Sequence, residues 1–166
     1  MILLFEFIGT AILTLFYRCT SSITFVLAYW VILSLCLRIS GSHFNPALTL
    51  AFMFRKTVGR FSRKLGILYM LFQLGGGLSG ALLAWFFYRD TSEPSVSNKF
   101  FQQSLGESIA SFFFILLFLI QTEPNQKFSN QPAIFTLVIS AGFLICRNIS
   151  AAAGMGFVNP AAAFGL

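Results

Sequence analysis

The tripeptide Asn-Pro-Ala occurs twice in this 166-residue chain, at Asn45-Pro46-Ala47 and at Asn159-Pro160-Ala161. Proline fits the first turn of a helix, where its missing N–H would have no intrahelical partner, and asparagine is favoured just before it. Each copy therefore predicts a helix start that presents free N–H groups and the positive end of the helix dipole. Such an end can donate hydrogen bonds to a water oxygen and repel cations.

The elements that would position these motifs are membrane-spanning helices. The chain is 57% hydrophobic and only 10% charged, whereas a soluble domain carries roughly a quarter charged residues. A helix needs about 20 residues to cross a bilayer, or as few as about 17. Five apolar stretches approach that length, namely Ile2–Tyr17, Cys19–Leu37, Leu65–Tyr88, Ser104–Gln121 and Pro132–Cys146. The first and last are short and must borrow neighbouring residues. Two shorter stretches follow the motifs, at Ala47–Phe54 and Ala161–Leu166.

A weak internal repeat relates the two halves of the chain. Glu6-Phe-Ile-Gly-Thr10 corresponds to Glu107-Ser-Ile-Ala-Ser111, and each is followed by a further crossing and then Asn-Pro-Ala. We expect one membrane domain over 1–166, with a first repeat at 1–88, a linker at 89–103 and an incomplete second repeat at 104–166. Because each repeat holds three crossings, the second enters from the opposite face of the membrane. The two short helices are then predicted to meet tip to tip halfway through the bilayer.

The net charge of +6 sets topology and does not indicate nucleic acid. Five cations cluster in the loop after the first short helix: Arg55, Lys56, Arg60, Arg63 and Lys64. With the N-terminus inside, seven of the eleven Lys and Arg residues lie on the cytoplasmic side and four lie outside. This distribution follows the positive-inside rule.

The chain resembles the aquaporin (major intrinsic protein) family over nearly its whole length. The segments 40–50 and 154–161 resemble the two pore loops of that family. Further matches are Tyr69, Gln73, Gly76 and Gly80 in its third helix, and Glu6 and Glu107 as the buried glutamates of helices one and four. The resemblance implies an all-α, inverted-repeat bundle of six crossings and two pore half-helices around one pore per subunit, usually in a tetramer.

Two features depart from the family pattern. The second motif normally continues with an arginine that narrows the outer selectivity filter, and here that position is Ala162. The chain also stops at Leu166, inside the second half-helix, so five of the six crossings are present. We expect the sequence to be an incomplete record of a longer chain.

The pore itself is predicted from the motifs and their loops. The amides of Asn45 and Asn159 would donate to one water oxygen and so interrupt a proton-conducting file of waters; the alternative is two helix caps with no role in transport. Residues 39–44 and 151–158 should be non-helical and line the pore with carbonyls. Gly41, Gly154 and Gly156 suit such a path because glycine accepts positive φ.

Three residues are predicted to support the loops. An unpartnered ionisable group inside a crossing costs at least ~2–3 kcal/mol, and the family implies that Glu6 and Glu107 accept hydrogen bonds from the pore loops. Proton carriage is the alternative role for both. His43 resembles the family's loop histidine, for which loop bracing and gating both stay open.

Spacing within the family assigns four selectivity-filter positions to Phe25, Arg147, Gly156 and Ala162. Phe25 favours a narrow bore, whereas Gly156 with Ala162 should leave one wall wide. Water-selective members usually carry histidine where Arg147 stands. Arg147 either replaces the missing filter cation from the opposite wall or extends toward lipid headgroups.

The function predicted is a passive transmembrane channel for water, with small neutral solutes such as glycerol, urea or ammonia possible. The alternative is a non-conducting or truncated aquaporin-like protein with a structural or regulatory role. We expect no enzyme activity, cofactor, metal or nucleic-acid partner. The expected surroundings are the lipid bilayer of the plasma or vacuolar membrane, and the expected assembly is a homotetramer or a hetero-oligomer with full-length relatives.

Overall fold

The computed structural model describes residues 1–55, 61–88 and 99–166. The helices in these ranges are α1 (Ile2–Cys19), α2 (Ser22–Ser40), α3 (Pro46–Phe54), α4 (Arg63–Tyr88), α5 (Phe100–Thr122), α6 (Pro132–Ala152) and α7 (Pro160–Gly165). Within the described residues, five of them (α1, α2, α4, α5 and α6) are long and apolar enough to cross a membrane. Lys56 and Arg60 of the predicted basic loop, and residues 89–98 of the predicted linker, lie outside the described residues.

The helix bounds differ from the sequence prediction mainly at the ends. The first and fifth crossings, whose apolar stretches are short, extend into neighbouring residues as predicted. α1 continues to Cys19, and α6 continues to Ala152. Cys19 therefore ends the first crossing and does not begin the second. α5 begins at Phe100, inside the range expected for the linker. Apolar runs underestimate helices because a helix continues past its last apolar residue wherever backbone hydrogen bonds can still form.

The inverted repeat predicted from sequence is visible in the packing. α1, α2 and the half-helix α3 correspond to α5, α6 and the half-helix α7. Within each half the first two helices pack on one another, and α2 packs on α6 where the halves meet. α4 contacts α1 and both half-helices. The architecture is an all-α, aquaporin-like bundle.

Polarity is arranged in the reverse of a soluble protein. Leu27, Val31 and Leu35 repeat at four-residue intervals on α2 and are exposed, whereas Glu6 and Gln73 are fully buried. In a bilayer, exposed leucine and valine lose nothing, and polar groups are stable only where they bond to one another. The exposed apolar side chains therefore suit lipid or neighbouring subunits, and the buried polar groups lie in the interior of the bundle.

Glycines bring α4 unusually close to its neighbours. A Cβ on Gly76 would lie 2.4 Å from the Phe7 carbonyl oxygen, and one on Gly80 would lie 2.2 Å from that of Ala11. On an adjacent side of α4, a Cβ on Gly77 would lie 2.1 Å from the Ala161 carbonyl oxygen. Small residues at helix contacts let backbones approach closely and replace the hydrophobic driving force that lipid removes.

Candidate functional site: the paired half-helix ends

Both Asn-Pro-Ala motifs begin a helix, as predicted. Asn45 caps α3, and its Oδ1 accepts hydrogen bonds from the N–H groups of Ala47 at 2.9 Å and Leu48 at 3.4 Å. Asn159 caps α7 in the same way, and its Oδ1 accepts from the N–H of Ala161 at 3.0 Å. Each cap satisfies orphan donors of the first turn and fixes the side-chain amide at the helix tip.

The two tips are tied together by reciprocal hydrogen bonds. Asn45 Nδ2 donates to the Val158 carbonyl at 2.9 Å, and Asn159 Nδ2 donates to the Phe44 carbonyl at 2.8 Å. An amide nitrogen carries two hydrogens, so each asparagine keeps one donor beyond this bond. The side chains are only 2% and 3% exposed, so those donors lie in the interior of the bundle.

The non-helical parts of the pore loops are shorter than predicted. The expectation of irregular backbone from Ile39 is wrong for two residues, because α2 continues to Ser40. The expectation from Ala151 fails in the same way, because α6 continues to Ala152. α2 ends at Gly41, whose φ of +82° places it in the left-handed cap conformation that glycine adopts most easily.

Left-handed backbone shapes both loops beyond those ends. Gly154 and Gly156 have φ of +113° and +85°, which confirms the prediction that they supply positive φ. Phe44 and Val158, the residues before each motif asparagine, have φ of +47° and +53°. This conformation is uncommon for such side chains, and the carbonyls of these two residues are the ones that accept from the opposite amides.

Glu6 anchors the first loop from α1. Its Oε1 accepts from Ser40 Oγ at 2.6 Å and from the His43 N–H at 3.1 Å. Its Oε2 accepts from the Phe44 N–H at 2.8 Å and from Gln73 Nε2 of α4 at 2.7 Å. Four donors around one fully buried carboxyl match the condition under which such a group is tolerated inside a membrane.

Glu107 anchors the second loop from α5 in the same manner. Its Oε1 accepts from Ser150 Oγ at 2.5 Å, the Gly156 N–H at 2.8 Å and the Phe157 N–H at 2.7 Å. Its Oε2 accepts from the Val158 N–H at 2.6 Å. Backbone donors thus dominate here, and the residue is half-buried.

His43 lies within the first loop and is almost fully buried. Its Nδ1 is 3.1 Å from Thr49 Oγ1. Its ring is 4.5 Å from the Phe52 ring and 5.2 Å from the Phe61 ring, measured between centroids. Contacts on several sides favour the loop-bracing interpretation over a group free to swing as a gate.

Arg147 reaches Phe25, although the two residues come from different halves. The guanidinium carbon is 4.7 Å from the centroid of the Phe25 ring and 4.4 Å from that of Tyr17. These distances are within the range of cation–π attraction. The side chain therefore turns toward the filter position and away from lipid.

The other two predicted filter positions lie in the interior of the bundle. Gly156 is buried with its N–H on Glu107, and Ala162 lies in α7 with no exposed surface. A Cβ on Gly156 would lie 2.9 Å from that of Ala151. That these two small residues leave one wall of the filter wide stays a prediction.

Sequence reasoning missed a cluster of buried aromatic rings around the predicted filter residue Phe25. The rings of Tyr29 and Phe143 are 4.9 Å apart, and Phe143 stacks on Phe25 at 5.8 Å. Phe25, Tyr29 and Phe143 are 0%, 1% and 2% exposed, so these three rings are shielded from water in this conformation. A signal was available: Tyr29 follows Phe25 by four residues and Phe143 precedes Arg147 by four, which places each pair on one helix face.

In the part of the chain that the structure describes, five membrane-length helices and two half-helices joined at their N-termini define an inverted-repeat, multi-pass integral membrane protein. The family model described as "Major intrinsic protein" matches residues 2–166. The chain belongs to the major intrinsic protein family.

Individual relatives agree with this assignment. Aquaporin-8 of Rattus norvegicus is 31% identical over 150 residues, which is 84% of this chain and 54% of that protein. Aquaporin-8 of Notomys alexis is also 31% identical over 150 residues, 84% of this chain and 55% of that protein. Neurogenic protein big brain of Drosophila melanogaster is 28% identical over 137 residues, 78% of this chain and 18% of that protein. The chain thus spans about half the length of the aquaporin-8 relatives and less of big brain.

A solved structure shows the same fold. The aquaglyceroporin from Plasmodium falciparum superimposes with a TM-score of 0.69, covering 98% of this chain and 77% of that one. Sequence identity is 20%, so the likeness concerns architecture alone.

Proposed function

We propose that this chain forms a passive membrane channel for water, and that small neutral solutes such as glycerol, urea or ammonia can follow the same path. The observation that carries the proposal is the pair of capped half-helix tips joined by reciprocal asparagine amides. Each tip keeps one amide hydrogen, so a solute oxygen at the centre would receive two donors. Similarity to aquaporin-8, a protein named as a water channel, supports the same solute class.

In this proposal the two tips exclude protons and cations together. A water that accepts from both asparagines cannot pass a proton along the file, and two positive dipole ends disfavour a cation. Phe25, Arg147, Gly156 and Ala162 form the outer filter. Arg147 supplies from α6 the cation that the second motif lacks at Ala162.

Osmotic flux through vesicles tests the proposal. The purified protein in lipid vesicles should raise water permeability above that of bare lipid in stopped-flow light scattering. Vesicles of the same lipid that hold no protein give the baseline. Wild-type flux equal to that of bare lipid would refute conduction.

The contact between the Tyr29 and Phe143 rings favours a second candidate, a non-conducting family member with a structural or regulatory role. Tyr29 and Phe143 contact one another across the path and are almost unexposed. This candidate expects wild-type flux at the bare-lipid level. It also expects flux to remain at the bare-lipid level after Tyr29 and Phe143 are both replaced by valine, because a protein with no conducting path gains none when two side chains become smaller.

Assembly and location are part of the same proposal. The exposed apolar belt (for example Leu27, Val31 and Leu35 on α2) fits either lipid or neighbouring subunits, and we propose a homotetramer or a hetero-oligomer with full-length relatives. The proposed site of residence is the plasma membrane or a vacuolar membrane. Native mass spectrometry from detergent measures the number of copies, and fluorescent tagging with membrane markers identifies the compartment.

A further inference from the structure

Tyr17 of α1 lies where α1, α2, α6 and the second pore loop meet. Its ring centroid is 5.0 Å from that of Phe25, 6.4 Å from Phe143 and 6.0 Å from Phe157. The residue is 9% exposed. None of the family motifs identified in the sequence includes it.

Its hydroxyl fixes the second pore loop. The Tyr17 hydroxyl donates to the Phe157 carbonyl, two residues before the motif asparagine. The Phe157 N–H donates to Glu107 at 2.7 Å. The same peptide segment is therefore held from α5 through its N–H and from α1 through its carbonyl.

Its ring holds the filter cation. The Arg147 guanidinium carbon is 4.4 Å from the Tyr17 centroid, closer than the 4.7 Å to Phe25. A guanidinium that lies against two adjacent aromatic rings in a partly desolvated site is stabilised by both. α1 and α6 are far apart in the sequence, but each packs on α2. Tyr17 of α1 can therefore contact Arg147 of α6.

We propose that Tyr17 is a positioning residue of the outer filter: its ring holds the Arg147 guanidinium beside Phe25, its hydroxyl fixes the Phe157 carbonyl, and together these contacts set which neutral solutes pass. The effect on solute selection rests on the proposed function, since it requires a conducting channel. The placement of Arg147 by Tyr17 does not require conduction.

The proposal predicts a direction for selectivity. Without the Tyr17 ring, the guanidinium loses one of its two ring contacts and the space beside Phe25 widens. Solutes larger than water, such as urea and glycerol, should then gain more than water does. The Tyr17→Leu variant should raise the urea-to-water permeability ratio about fivefold, since the ring contact is worth a factor of this order.

Two measurements separate positioning from mere structure. The first is the permeability ratio for Tyr17→Leu, for the conservative Tyr17→Phe and for a Tyr69→Phe control, whose hydroxyl donates to the Ser40 carbonyl of the other pore loop at 2.8 Å. The second is the NMR resonance of the Arg147 Nε–H in micelles, which two flanking rings shift upfield. Tyr17→Leu should lose most of that shift, and the two phenylalanine variants should keep it.

The outcomes distinguish the two proposals. A wild type without flux but with an Arg147 resonance that depends on Tyr17 refutes the channel and leaves the placement standing. A conducting wild type whose ratio and Arg147 resonance are both unchanged by Tyr17→Leu overturns the inference. Because Tyr17 acts in part through Arg147, Tyr17→Leu should have a smaller effect on the ratio in an Arg147→Met background than in the wild type, and an undiminished effect there contradicts the mechanism. Should Tyr17→Leu fail to fold, Tyr17→Met repeats both measurements with a longer side chain that keeps the packing.

Discussion

The two pore loops are built on one plan but anchored to different degrees. In each, a glutamate from the first helix of its own half accepts from a serine at the end of the second helix and from loop N–H groups. The first loop adds Gln73 of α4 as a donor, and Glu6 is fully buried. The second loop uses a third backbone donor from Val158 in that place, and Glu107 is half-buried.

Comparing the two pore loops separates the hydrogen bonds that occur in both from those that occur in one. A serine and loop N–H groups recur in both halves, so the loop conformation depends on them. A tyrosine hydroxyl also recurs, from Tyr69 to the Ser40 carbonyl in the first loop and from Tyr17 to the Phe157 carbonyl in the second. The first loop has a further donor in the side-chain amide of Gln73. Each carboxylate accepts four hydrogen bonds, and among the described residues Glu107 is the more exposed of the two.

The largest expected effect comes from removing the two anchors in turn. Glu6→Ala should destabilise the protein by about 3–5 kcal/mol, because it leaves several buried donors without an acceptor. Glu107→Ala should cost about half as much, because the Glu107 side chain is itself only half-buried and solvent can replace part of its interaction with its donors. Unfolding in mixed micelles measures both, with the Gln variants as matched controls that keep the volume. Equal losses would show that burial does not separate the anchors.

A second test concerns how each half-helix is attached to α4. α3 is attached by polar contact, with Gln73 Nε2 donating to Thr49 Oγ1 at 2.9 Å, whereas α7 is attached by backbone contact at Gly77. Gly77→Ala should therefore cost about 1–3 kcal/mol through overpacking and displace α7 alone. Gly75→Ala is the control, since its Cβ would meet only the Phe7 ring at 3.4 Å. Amide exchange in the two half-helices reports the result, and equal loss of protection in α3 and α7 would contradict it.

The sequence alone predicted the parts of this fold that depend on local chemistry. Both half-helix starts follow from Asn-Pro, and the crossings follow from apolar length, because each signal lies within one segment. The tertiary contacts could not be predicted in this way. Tyr17 reaches Arg147 only because two helices far apart in sequence both pack on α2, and no local pattern encodes that distance. The left-handed φ of Phe44 and Val158 was also missed, since neither side chain favours it and the opposite asparagine selects it.

The third test compares the two sides of the asparagine pair. On the side toward Phe25, the proposed path meets the contact between the Tyr29 and Phe143 rings. Replacing both rings by valine should therefore raise water permeability about tenfold, equivalent to about 1.4 kcal/mol of barrier. The control is Phe118→Leu, a buried ring that packs on Phe52 and Phe114. Stopped-flow scattering compares the three proteins. A double variant no faster than wild type would show that these rings do not limit flux.

The smallest expected effect comes from substitutions that distinguish two roles of each motif asparagine: capping its own half-helix and donating to the opposite pore loop. Asn45 Oδ1 accepts from two N–H groups and Asn159 Oδ1 from one, while the bonds that each Nδ2 donates are nearly equal at 2.9 and 2.8 Å. Serine keeps a cap oxygen but cannot reach the opposite carbonyl. Asn45→Ser and Asn159→Ser should therefore cost the same, about 1 kcal/mol each.

Alanine removes the cap as well. Asn45→Ala should then cost about 1 kcal/mol more than Asn45→Ser. The difference between Asn159→Ala and Asn159→Ser should be smaller, because fewer N–H donors are left without an acceptor in α7. Unfolding in micelles measures all four variants. Serine variants that differ as much as the alanine variants would mean that the two tips are not bonded equivalently, and the symmetry of the pair would then be limited to its backbone.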